Sequence, residues 1–86
     1  MVSAFVLVNC HFPFDPRIMD EMSKMPSIAN VYRISGRYDL IVKINAYTED
    51  ELKEIISTDI NTLEGVDATV TMIIAKEHMK SSENVV

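Results

Sequence analysis

Residues 28–47 read IANVYRISGRYDLIVKINAY, and the pattern within this segment decides the fold. Residues 28–35 alternate in polarity, as a β-strand does. Residues 38–47 form the longest predicted strand, with one apolar face made of Leu40, Val42, Ile44 and Ala46. Between the two, Ser-Gly-Arg at residues 35–37 predicts a tight connection, because Gly36 can adopt a positive φ. The segment is therefore predicted to be a β-hairpin.

Two further strands are predicted towards the ends of the chain. Residues 3–10 read SAFVLVNC and are apolar on both alternating faces, which is typical of a central strand covered on both sides. Residues 66–75 also alternate, with Ala68, Val70, Met72 and Ile74 on one face and Thr69, Thr71 and Ile73 on the other. This alternation predicts the last strand of the sheet.

A first helix is predicted after the loop at residues 11–16. Asp15 followed by Pro16 is typical of a helix start, because aspartate caps free backbone N–H groups and proline suits the first helical position. Apolar side chains then recur on one helical stripe, at Ile18, Met22 and Met25. Pro26 disfavours helix at the residue before it, so the helix is predicted to end there.

A second helix is predicted to start at Thr48. Thr48 and Glu51 have the spacing of a capping box, in which each residue's side chain bonds to the backbone N–H of the other. The predicted buried stripe of this helix consists of Leu52, Ile55, Ile56, Ile60 and Leu63. Gly65 is placed to end it in a left-handed conformation.

The predicted order of elements is β-α-β-β-α-β, an α+β arrangement of the ferredoxin-like type. It implies a four-stranded antiparallel sheet with two helices on one face and the first and third strands in the centre. The other face is predicted to be apolar, with residues that depend on the register: Phe5 or Val6, Ile41 or Val42, and Ile73 or Ile74. Nothing in the chain supplies a second layer there, so we expect a homodimer formed sheet against sheet, with larger rings possible.

Composition narrows the class of protein. The chain has 86 residues, which is one domain, and 48% of them are hydrophobic. Its net charge is −5 and its eight basic residues are scattered, which argues against direct binding to nucleic acid or to an anionic membrane. Cys10 is the single cysteine, so no intramolecular disulfide can form. No signal peptide is apparent and the apolar run at residues 4–8 is too short to span a bilayer, so a cytoplasmic location is expected.

Two sequence landmarks resemble a known family. Residues 31–44, VYRISGRYDLIVKI, are similar to the signature of the RAM domain, the effector-binding part of Lrp/AsnC transcription regulators: a strand, a Gly-x-Tyr-Asp turn and a long apolar strand. Leu-Glu-Gly-Val at residues 63–66, before Thr69 and Thr71, resembles its second landmark. The similarity predicts a RAM domain over residues 1–76, followed by a polar tail at residues 77–86.

The resemblance also implies a binding site and an assembly. RAM domains dimerise through their sheets, and the dimers join into octameric or decameric rings that bind amino acids or related effectors at the boundary between dimers. The Gly-x-Tyr-Asp turn lines that site, so the implied ligand-binding residues are Ser35, Gly36, Arg37, Tyr38 and Asp39. A zwitterion suits such a turn, because backbone N–H groups and Arg37 can bind its carboxylate while Asp39 faces its ammonium group.

The resemblance further implies how the domain acts. Lrp/AsnC regulators carry an N-terminal helix-turn-helix, whereas this chain begins almost directly with the first RAM strand. The expectation is a stand-alone module that senses an amino acid or similar metabolite and acts in transcriptional regulation through partners. A purely structural role, co-assembled with full-length Lrp/AsnC regulators, is the alternative.

Each candidate residue also has a simpler interpretation. Gly36 is explained by the hairpin alone, Asp39 by capping of the turn, and Arg37 by exposure to solvent. Tyr38 can equally pack against a neighbouring subunit.

Cys10 and His11 are adjacent and could bind copper or zinc, but no Cys-x-x-Cys or His-x-x-x-His spacing accompanies them. Metal binding through this pair is therefore kept as an alternative, and no metal or cofactor is predicted. A His11–Asp15 acid–base pair or a Cys10 thiolate would lack a third partner, so the protein is not expected to be an enzyme.

Overall fold

The computed structural model describes residues 1–78, and within them four strands form one antiparallel sheet. The strands are β1 (Val2–Cys10), β2 (Ile28–Arg33), β3 (Leu40–Ala46) and β4 (Val66–Ile73). Their order is β2-β3-β1-β4, which places β1 and β3 in the centre. The predicted α+β, ferredoxin-like architecture is confirmed. Of the predicted polar tail, residues 79–86 lie outside the described part of the chain.

The first helix, α1 (Arg17–Ser23), starts where the sequence predicts. The Oδ1 atom of Asp15 accepts a hydrogen bond from the backbone N–H of Arg17 at 3.0 Å. Pro16 has helical dihedral angles, with φ −64° and ψ −15°. Asp15 therefore caps the helix start and Pro16 takes the first helical turn, because its ring fixes φ near the helical value.

The second helix, α2 (Glu49–Ile55), is capped by Thr48, whose Oγ1 accepts a hydrogen bond from the backbone N–H of Glu51 at 3.1 Å. The helix continues as a π-helical turn, Ile56–Ile60, instead of the uninterrupted α-helix that the sequence predicts. Gly65 follows with a φ of +96°, as its predicted left-handed role requires. None of the helices within residues 1–78 is long and apolar enough to cross a membrane.

The core lies between the helices and one face of the sheet. Its buried members come from β1, β3 and both helical segments: Ala4, Val6, Val8, Ile18, Met22, Leu40, Val42, Ile44, Ala46, Leu52, Ile56 and Ile60. Burial of such side chains contributes about 1.5–3 kcal/mol for each large one, so these positions supply most of the driving force for folding. Both helices contribute to the same cluster, which confirms that they cover one face of the sheet.

The opposite sheet face, here called the open face, has no helix against it among the described residues. The strand register pairs Leu7 with Ile41 on β3 and with Val70 on β4, so all three share this face. It also carries Phe5 and Met72, which are partners in the register. Tyr32, Val70 and Met72 expose 51%, 42% and 45% of their surface, which leaves a broad apolar surface in contact with water.

The register also decides between the residues that the sequence offered for this face. Phe5 and Ile41 lie on the open face, whereas Val6 and Val42 are fully buried beneath the helices. Ile73 packs against the core, so the alternation of strand side chains places Ile74 on the open face instead.

Candidate ligand-binding site

The connection between β2 and β3 forms an open turn at one end of the sheet. Ser35, Gly36 and Arg37 are exposed, while Tyr38 and Asp39 are half-buried. Gly36 has a φ of +125°, and a Cβ added there would meet no atom within 4 Å. Glycine is required here by the backbone conformation rather than by lack of space. The turn therefore presents backbone groups that no side chain shields.

Asp39 holds this turn against the end of β1. Its backbone N–H donates to the carbonyl oxygen of Val8 at 3.0 Å, and its own carbonyl oxygen accepts from the N–H of Ile34 at 3.0 Å. Its carboxylate Oδ2 accepts a hydrogen bond from the backbone N–H of Cys10 at 2.7 Å. One oxygen of Asp39 is thus committed to the protein, while Oδ1 has no hydrogen-bond partner among residues 1–78.

The loop that follows β1 lies beside the turn. The Arg33 guanidinium, at the end of β2, stacks over the ring of Phe14 with 3.7 Å to the ring centroid. The backbone N–H of His11 donates to the carbonyl oxygen of Gly65 at 2.7 Å, and the side-chain Nδ1 of His11 lies 3.4 Å from Asp67 Oδ1. The sequence did not predict the contact between Arg33 and Phe14, because a cation–aromatic contact between residues so far apart in the chain leaves no local pattern.

The structure places carboxylates near both Cys10 and His11. Burial raises the pKa of the Cys10 thiol, and the nearby carboxylates of Asp39 and Asp67 raise it further, so the thiol stays protonated at neutral pH. His11 faces Asp67, while Asp15 is paired with Arg17 at 2.6 Å, so the His11–Asp15 acid–base pair does not form. Among the side chains described, no three His, Cys, Asp or Glu residues come together to hold a metal ion.

Two clefts occur elsewhere on the described surface, and neither includes the turn at residues 35–39. One of about 300 Å³ lies at the start of α1 and is lined by Asp15, Arg17, Ile18, Glu21 and Glu64. The other, of about 440 Å³, lies at the opposite end of β3 and is lined by Met1, Pro26, Ser27, Asn45, Ala46, Tyr47 and Glu51. Ligand sites bury most of a small molecule. The exposed turn would therefore need a second subunit to enclose a ligand.

Comparison with known proteins identifies the fold family. The Lrp/AsnC ligand binding domain family matches residues 3–84 of the chain. The chain belongs to this family. The match runs past Lys76 into the predicted tail, so the predicted boundary at residue 76 stays a prediction.

The HTH-type transcriptional regulator FL11 of Pyrococcus furiosus is 32% identical to this Lrp/AsnC domain over 82 residues. The alignment covers 95% of this chain and 54% of that regulator, so the chain spans about half the length of this curated relative. The homocitrate synthase of Sulfurisphaera tokodaii is also similar, at 31% identity over 77 residues, but only 16% of that enzyme is covered. The family itself is that of a ligand-binding domain, which favours a non-enzymatic role.

Solved structures share the architecture. The protein TTHA0845 from Thermus thermophilus superposes with a TM-score of 0.86 at 28% identity, covering 93% of this chain and 100% of that one. The transcriptional regulator NMB0573 from Neisseria meningitidis, solved in complex with L-Met, gives a TM-score of 0.82 at 16% identity, covering 94% of this chain and 54% of that one. At that identity the second likeness shows the fold alone.

Proposed function

We propose that this Lrp/AsnC domain binds an amino acid or a closely related metabolite at the turn formed by residues 35–39, in the cytoplasm. The observation that carries the proposal is the exposed backbone at Gly36, where no atom lies within 4 Å of an added Cβ, in a family of ligand-binding domains. The relatives named as transcriptional regulators support a regulatory role, and we propose that this domain exerts it through partner proteins.

The proposed site has complementary groups for a zwitterion. Backbone N–H groups near Gly36 and the guanidinium of Arg37 bind the ligand carboxylate, since arginine can contact a carboxylate with two parallel hydrogen bonds. The free Oδ1 of Asp39 faces the ammonium group, and Tyr38 packs against the rest of the ligand. The L-Met complex of the Neisseria protein supports trying amino acids first, with methionine among them.

We further propose that assembly encloses the site. Two domains pack through the open face as a homodimer, and dimers join into an octamer or decamer whose boundaries cover the exposed turns. The same open face also permits mixed assembly with full-length Lrp/AsnC regulators. A ligand held between subunits stabilises only the assembled form, so its concentration biases the oligomeric state.

A thermal-shift screen of the twenty amino acids, followed by calorimetry, tests the binding proposal. A true ligand at about 100 times its Kd should stabilise the fold by about 2.7 kcal/mol. Arg37→Ala should weaken binding by about tenfold or more, because a hydrogen bond to a charged group contributes about 1.5–3 kcal/mol. Arg17→Ala is the matched control, since Arg17 is also exposed but pairs with Asp15 outside the turn.

The site assignment is wrong if Arg37→Ala binds as tightly as the unchanged protein, or if Arg17→Ala is the variant that loses affinity. The proposed function itself fails if neither an amino acid nor a closely related metabolite added to the same screen shifts the melting temperature.

A further inference from the structure

The carboxylate of Asp39 supplies a hydrogen bond where backbone pairing between β1 and β3 has ended. The β1–β3 ladder ends with the pair Val8 and Leu40, and Val8 accepts the last backbone hydrogen bond, from Asp39. Residues two apart in a strand point their N–H groups the same way, so the N–H of Cys10 also faces the β3 side. There the chain has already turned away, and the partner within reach is Asp39 Oδ2, at 2.7 Å.

The hydrogen bond between Asp39 and Cys10 lies where the pairing of the sheet is irregular. β1 and β4 shift register between Asn9 and Cys10, and His11 then bonds to Gly65 on the β4 side. The end of β1 is thus held on one side by β4 and on the other by a single side chain of the proposed ligand turn. A charge-assisted hydrogen bond of this kind is short and about twice as strong as one between neutral groups.

We propose that Asp39 is a positioning residue that links ligand binding at the turn to the end of β1 and the loop at residues 11–16. Oδ2 fixes the turn to Cys10, and Oδ1 faces the ligand. The loop is attached to the hairpin by this bond and by the Arg33–Phe14 stack. Occupancy of the turn therefore immobilises Asp39, and Asp39 in turn holds Cys10 and the loop that follows. This inference rests on the proposed function and gives Asp39 a second role, which is to hold Cys10, in addition to contact with the ligand.

Hydrogen–deuterium exchange at the Cys10 amide tests the link, with two variants that remove the same charge. Asp39→Ala removes the acceptor, so the Cys10 amide of the ligand-free protein should exchange about tenfold faster or more. Asp39→Asn keeps a side-chain oxygen at the same distance along the chain, so exchange should stay within about threefold of the unchanged protein. Circular dichroism confirms that both variants are folded.

Exchange at Cys10 in the ligand-bound state distinguishes a link to the ligand from a purely structural contact, because a purely structural contact would leave this rate unchanged when ligand binds. An amino acid identified by the screen, at a concentration that calorimetry shows to saturate each protein, should slow exchange at Cys10 in the unchanged protein but not in Asp39→Ala. Equal exchange at Cys10 in the unchanged protein and Asp39→Ala would overturn the link, and so would ligand-induced protection that persists in Asp39→Ala. If no amino acid or related metabolite binds, the proposed function fails, whereas the ligand-free comparison still decides whether Asp39 positions the turn.

Discussion

Leu7→Glu is expected to prevent the homodimer that we propose to form through the open face. Leu7 lies at the centre of the open face, between Ile41 on β3 and Val70 on β4. A carboxylate buried there without a partner costs about 3–5 kcal/mol, and a two-fold dimer buries two of them. The dimer should therefore weaken by at least about a hundredfold. Size-exclusion chromatography with light scattering, over a range of protein concentrations, measures the change.

Thr71→Glu is the matched control for this variant. Thr71 is exposed and lies beside Val6 in the register, on the helix-covered side of the sheet, so the same charge added there leaves the open face unchanged. An assembly that survives Leu7→Glu while the protein stays folded would show that the subunits do not meet through this face.

Leu52→Ala is expected to cause the largest loss of stability that a single truncation in α2 can produce. Leu52 is fully buried between the helix and the sheet. Removing its side chain lowers the free energy of unfolding by about 2–5 kcal/mol, through lost burial and the cavity left behind. A domain of this size has a total stability of about 4–13 kcal/mol, so the loss is a large fraction of the whole. Urea denaturation at one fixed protein concentration gives the difference.

Lys53→Ala supplies the comparison at the next position of the same helix. Lys53 is exposed, and its Nζ lies 3.5 Å from Glu49 in an ion pair that is open to solvent. Exposed pairs of this kind contribute about 0–1 kcal/mol, so this variant should unfold close to the unchanged protein. Equal losses in the two variants would mean that α2 does not pack on the sheet as described.

The periodicity of the sequence predicts the central part of the fold well. The alternation in residues 38–47 identifies the buried face of β3 directly, because the other face carries Lys43 and Asn45. In β1 both faces are apolar, so the sequence alone could not tell whether Phe5 or Val6 lies beneath the helices. The pairing with β3 decides this, since Phe5 lies beside Lys43 and Val6 beside Val42.

The end of the second helix shows where periodicity is insufficient. Leu52, Ile56 and Ile60 are all buried although they are spaced four residues apart. An α-helix has about 3.6 residues per turn, so side chains at this spacing drift around its surface. A wider π-helical turn, with the N–H of Asn61 bonded to the carbonyl of Ile56 at 2.9 Å, brings them back to the core.

The candidate site was predictable only in part. The Gly-x-Tyr-Asp pattern marks the turn, and the positive φ of Gly36 agrees with that interpretation. The bond between Asp39 and Cys10 joins residues 29 positions apart, so it follows from the sheet and from no local pattern. The assignment of residues 35–39 as a ligand site stays a prediction, because the single chain leaves the turn exposed and neither cleft on the described surface includes it.

A crystal structure of the assembled protein with the amino acid that gives the largest thermal shift tests the central claim most directly. The account predicts ligand density at residues 35–39, on a boundary between subunits, with the ligand carboxylate near Gly36 and Arg37 and its ammonium group near Asp39. Density for the ligand in the cleft beside Asn45 and Tyr47, or in the cleft at the start of α1, with the turn left empty, would contradict it.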